Sequence, residues 1–131
     1  MSDQELRAAL AAVKAEKILF DFESGNPADW SHTGSPGPAG QWEYAAGGAD
    51  GTGHALKCTV PNFTGWNTFV SPAVPQPFAT GQTLTTFWAK GGPATTQLDV
   101  EWAEQDGSRW ICVVPLTTQW QHFALSPEAF E

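Results

Sequence analysis

The chain has 131 residues, and fourteen carboxylates against six Lys and Arg set its formal net charge at -8. That length suits one domain burying about two-thirds of its unfolded surface, and the acidic field excludes phosphate backbones, and so nucleic acid, as partners. No apolar run approaches the roughly eighteen residues of a membrane span, which argues against a membrane partner.

Residues 2–17 carry the one helical pattern, with Ser2 or Asp3 as N-cap, Glu5 in the first turn and Leu6, Ala9, Leu10 and Val13 on one stripe. Residues 1–17 are thus expected as an N-terminal helix or linker, ahead of a β-sandwich over 18–131. The segment is too charged for a secretory signal, so the signal of an exported product is expected upstream.

From Ile18 the period changes to two. Phe20 and Phe22 share one face of a predicted strand over 18–23, with Asp21 and Glu23 on the other. Residues 26–40 hold three prolines and little alternation, and read as a long irregular loop. Further strands are predicted over 41–45, 54–60, 66–71, 83–90, 97–103, 109–115 and 120–125. The clearest hairpin spans 97–115, where Gln105-Asp106-Gly107-Ser108 supplies the turn. Leu98, Val100 and Trp102 should there meet Trp110, Cys112 and Val114 on one core surface, leaving Ile111 and Val113 outward.

Cys58 shares parity with Leu56 and Val60, and Cys112 with Trp110 and Val114, so both thiols are expected inward. Buried unpaired thiols and an interstrand bridge both fit that placement. The spacing of the cysteines matches no zinc pattern, and His32, His54 and His122 are not spaced to activate a nucleophile. Asp99 and Glu101 share the outer face of a strand with Cα atoms roughly 7 Å apart, within reach of a glycosidase pair. Nothing nearby is placed to raise either pKa, so the readings left open are a solvated strand face and, with Gln97, the polar floor of a sugar-binding groove.

Seven Trp are too many to bury together, and Trp88 has the opposite parity to Phe87. A sugar offers an apolar C–H face to an aromatic ring and hydroxyls to amides and carboxylates. Trp42, Trp66 and Trp88 are the candidate platforms, with Trp102, Trp110 and Trp120 assigned to the core. Asp21, Glu23 and Asp50, with carbonyls of the Gly-rich stretch 47–53, are candidate oxygen ligands for calcium.

The order of segments resembles the galactose-binding-like jelly rolls that serve as carbohydrate-binding modules, and is similar to the complex I intermediate-associated protein family. The segments are Phe20-Asp21-Phe22-Glu23-Ser24-Gly25 followed by Trp30, Gly53-His54-Ala55-Leu56-Lys57, and Leu84-Thr85-Thr86-Phe87-Trp88-Ala89-Lys90-Gly91. Asp106-Gly107 and the run Leu116-Thr117-Thr118-Gln119-Trp120-Gln121-His122-Phe123-Ala124-Leu125 complete the series, so that it covers 18–130. The resemblance implies an all-β, two-sheet antiparallel jelly-roll sandwich in an extracellular protein, binding polysaccharide or oligosaccharide, with a structural calcium near Glu23 and Asp50. Such domains continue into a further strand past the region of Trp120 and Phe130, so either an open C-terminal edge or replacement of that strand by the helix and another segment is expected here. The expected function is non-catalytic glycan binding. The rival expectation is an assembly domain that self-associates through the helix or that edge.

Overall fold

The computed structural model describes residues 18–35, 40–61, 63–78 and 83–131; the predicted helix lies outside the described residues. The described residues are mostly antiparallel β-strand, with only two single-turn 3-10 segments as helix, at Pro27–Asp29 and Pro127–Ala129. They divide into two compact units, Lys17–Pro77 and a second that includes Phe78–Glu131.

In the first unit, β1 (Ser31–Ser35) pairs with β4 (Trp66–Val70), and β2 (Gln41–Ala46) pairs with β3 (His54–Thr59). One hairpin is therefore enclosed within the sequence span of the outer pair. The β2–β3 turn closes through Gly47 N–H to Gly53 O and Gly48 N–H to Thr52 O, both 2.9 Å. Phe69 of β4 packs on His32 of β1 and Trp42 of β2, with ring centroids 5.0 and 6.0 Å away. Gly40 is buried beside them, and a Cβ there would stand 2.7 Å from Phe69 Cζ, so any larger residue forces the Phe69 and His32 rings to shift.

The second unit repeats this nesting: β5 (Thr85–Ala89) pairs with β8 (Gln121–Leu125), and β6 (Gln97–Ala103) with β7 (Arg109–Pro115). Its core is Val114, Leu116 and Phe123, against which Phe87, Ala89, Val100, Cys112 and Leu125 pack. Phe87 stacks on Phe123 with centroids 5.3 Å apart. The expected register of the β6–β7 hairpin holds, with Leu98 opposite Val114, Val100 opposite Cys112 and Trp102 opposite Trp110. Its turn uses Gly107 at φ 92°, a conformation that glycine enters without a Cβ clash.

Strands β2 to β8 fall within two residues of their predicted bounds, but two expectations fail. Residues 18–23 form no strand, because Asp21 Oδ1 accepts hydrogen bonds from the main-chain N–H of Glu23 and Ser24 and from the Ser24 hydroxyl, curling the chain. Phe22 sits at φ 60° in that curl. The supposed loop over 26–40 contains β1, whose Ser-His-Thr-Gly-Ser sequence has no apolar alternation and is ordered by pairing with β4.

Candidate functional site

The face of β1–β4 that carries His32 and Phe69 is packed, which leaves the other to Ser31, Thr33 and Ser35 opposite Val70, Thr68 and Trp66. Trp66 is 52% exposed there, beside a row of hydroxyls. On β5 the burial alternates: Phe87 and Ala89 join the core, while Thr86 and Trp88 are exposed, Trp88 at 48%. The Trp88 ring meets His122 edge-on with centroids 5.1 Å apart. His122 is buried, its Nδ1 has no hydrogen-bond partner among the described residues, and burial pushes its pKa below the ordinary value. Nearby in sequence, Lys90 Nζ lies 5.1 Å over the Trp120 ring.

Trp42 is placed differently. Its indole N–H donates to Pro27 O at 2.7 Å and its ring stacks on His32 and meets Phe69 edge-on, so it is half-buried and committed to packing. Trp102 is likewise packed, donating to Thr85 Oγ1 at 3.0 Å and touching Phe78. Trp110, expected in the core, is 47% exposed because the hairpin's turn end extends beyond the buried cluster.

Gln97, Asp99 and Glu101 do share one face of β6, on a different ribbon from Trp88, and Gln97 and Asp99 are exposed. Glu101 accepts two hydrogen bonds from the Arg109 guanidinium, from Nε at 2.6 Å and Nη2 at 3.0 Å. Those bonds hold its carboxyl below the usual range, the opposite of what an acid catalyst needs.

The three carboxylates expected at calcium are each engaged locally. Asp21 closes its own turn, Asp50 Oδ1 accepts the Thr52 N–H and hydroxyl at 2.9 Å, and Glu23 accepts from His54 through both the main-chain N–H and Nδ1, the latter at 2.8 Å. Hydrogen bonding keeps Asp21 and Asp50 below the usual carboxylate range. Among the described residues no three His, Cys, Asp or Glu side chains converge on one point.

Two further features escaped the sequence reading. The Glu23–His54 pair is one, and no spacing announces it. The other is an aromatic group in the first unit, Phe20, Phe22, Trp30 and Tyr44, tied by a 3.0 Å hydrogen bond from Trp30 Nε1 to the Tyr44 hydroxyl. Cys58 and Cys112 are both free thiols. Cys58, expected inward, is exposed as a residue, yet desolvation of its thiolate pushes the thiol up to about 11. The β7 edge takes Glu131, which exchanges main-chain hydrogen bonds of 2.8 and 2.9 Å with Ile111. No family model, no curated protein and no solved structure matches this chain significantly.

Proposed function

We propose that the chain is a non-catalytic glycan-binding module of an extracellular protein, built on a jelly-roll sandwich and binding polysaccharide or oligosaccharide by aromatic stacking. The carrying observation is that Trp66 and Trp88 stand about half exposed, at 52% and 48%, Trp66 on the face turned away from Phe69 and Trp88 on the face turned away from Phe87. Exposing so large an apolar ring loses burial free energy, which a stacked sugar restores. Around Trp66, the hydroxyls of Ser31, Thr33, Ser35 and Thr68 offer both donors and acceptors, the chemistry a sugar rim requires. Gln97 and Asp99 supply polar contacts on their own ribbon, with Glu101 held by Arg109.

Calcium, implied by the resemblance at Asp21, Glu23 and Asp50, takes no part in sugar contact in this reading. Its binding requires Glu23 to exchange His54 for the ion, and melting with calcium and with chelator tests that exchange.

Intrinsic Trp fluorescence titrated with a panel of soluble plant and microbial polysaccharides tests the proposal. A saturable change with at least one glycan is expected, and silence across the panel rejects it. The competing reading, an assembly domain, draws on Val113 and Trp110, exposed at 55% and 47% on the β6–β7 hairpin. A concentration-dependent dimer by light scattering, lost in Val113→Lys, would favour it.

A further inference from the structure

The first unit contains a cavity of about 350 Å³ at its start, within the roughly 300–1,000 Å³ of small-molecule sites. Phe20, Phe22, Trp30 and Tyr44 line it, together with Asp21 and Asp29. We infer that this cavity binds a trimethylammonium group, held by cation–π contact with the rings and by the two carboxylates.

The ring geometry separates this ligand from a sugar. Phe20 and Trp30 are inclined at 56° with centroids 5.1 Å apart, Phe22 and Trp30 at 42° and 6.1 Å, and Phe22 and Tyr44 at 63° and 5.6 Å. Rings so inclined present no single flat platform of the kind a pyranose needs, and suit a compact group better. The Trp30 N–H is already spent on the Tyr44 hydroxyl, and among the described residues no Asn, Gln, Lys, Arg or His lines the space. Among the described residues its charged groups are the carboxylates of Asp21 and Asp29, in a chain of net charge -8.

A methylated ammonium suits such walls better than a bare one. It is attracted to the π faces, is weakly hydrated, and leaves no N–H without an acceptor when it enters. The backbone is arranged for the contact: Phe22 holds φ 60°, an unusual conformation for a bulky residue, and its ring there touches both Trp30 and Tyr44. Asp21 is fixed by its bonds from Glu23 and Ser24, which lower its pKa and keep it charged. Neither Trp66 nor Trp88 lines this cavity, so the inference stands apart from the glycan reading.

The test is calorimetric titration of the whole chain with choline, with N-acetyl-trimethyllysine, and with 3,3-dimethyl-1-butanol, the uncharged carbon isostere of choline. Saturable binding of at least one cation is expected, at least about tenfold tighter than the isostere. Choline binding better than the lysine derivative would assign a free small molecule, and the reverse order a modified side chain. Asp29→Asn, at an exposed position, should weaken the cation severalfold while leaving the isostere unchanged and the circular dichroism spectrum native. Equal affinity for cation and isostere, or no saturable binding of either cation, overturns the inference.

Discussion

Replacing Phe123 by Ala probes the packing on which the second unit depends. Phe123 is 4% exposed, stacks on Phe87 at 5.3 Å, and is one of three buried apolar side chains in the cluster with Val114 and Leu116. Removing a buried phenyl ring costs roughly 3–5 kcal/mol. The neighbours Phe87, Val100 and Leu125 are only partly buried and can close over part of the gap, which places the loss near the lower end, about 3 kcal/mol. Against a typical total of about 5–15 kcal/mol this is a large fraction, and it corresponds to roughly a 10 °C fall in melting temperature. Leu98→Ala is the control, because Leu98, near the start of β6 in the same unit, is 39% exposed; it should cost less than about 1 kcal/mol. Urea denaturation followed by circular dichroism measures both. Equal losses in the two variants, or a loss under about 1 kcal/mol for Phe123→Ala, would refute this account of the core.

Burial favours neutral His122 in the fold, so its pKa lies below the ordinary 6.5. The unfolded chain then takes up the proton first, and stability is lost as pH falls below about 6.5 until the folded imidazole is itself protonated. His122→Phe should show a shallower loss of urea midpoint between pH 7.5 and 5 than the parent; identical slopes would contradict it. With its thiol pushed up from 9.0 to about 11, Cys58 should hold about a hundredfold less thiolate at pH 8 than an unperturbed thiol. In a Cys112→Ser variant its reaction with a disulfide reagent should be correspondingly slow until the protein is unfolded, and a rate equal to that of the unfolded chain would contradict this.

Much of the strand pattern was legible, because where alternation and turn chemistry agree the backbone has one low-energy answer. The β6–β7 hairpin combines apolar residues at alternate positions with Asp-Gly at the turn, and its register is the predicted one. Parity also separated Trp88 from Phe87. The opening segment misled because its alternation competes with Asp21, whose side chain captures the main chain two and three residues on. That signal was readable: Asp50-Gly51-Thr52 and Asp106-Gly107-Ser108 place a hydroxyl residue just after an Asp, and both Asp side chains accept the N–H of that residue.

Strand β1 and the packing of Trp42 were not legible, since both depend on partners distant in sequence. His32 gains its place from Phe69 and from Asn67, whose Oδ1 lies 2.7 Å from His32 Nε2. The Trp42 indole finds Pro27 O, a loop contact that no spacing encodes. The aromatic cavity was hidden for the same reason, because Tyr44 reaches Phe22 and Trp30 only once the chain has curled at Asp21.

The most direct test of the glycan reading is isothermal calorimetry of the chain and of its Trp66→Ala and Trp88→Ala variants against the polysaccharide that gives the largest fluorescence change. Loss of a stacking platform should raise Kd roughly thirtyfold in at least one variant, equivalent to about 2 kcal/mol, with folding unchanged because both rings are half exposed. Unaltered affinity in both variants, or no measurable heat from the parent chain, would contradict the claim that these exposed tryptophans are a sugar platform.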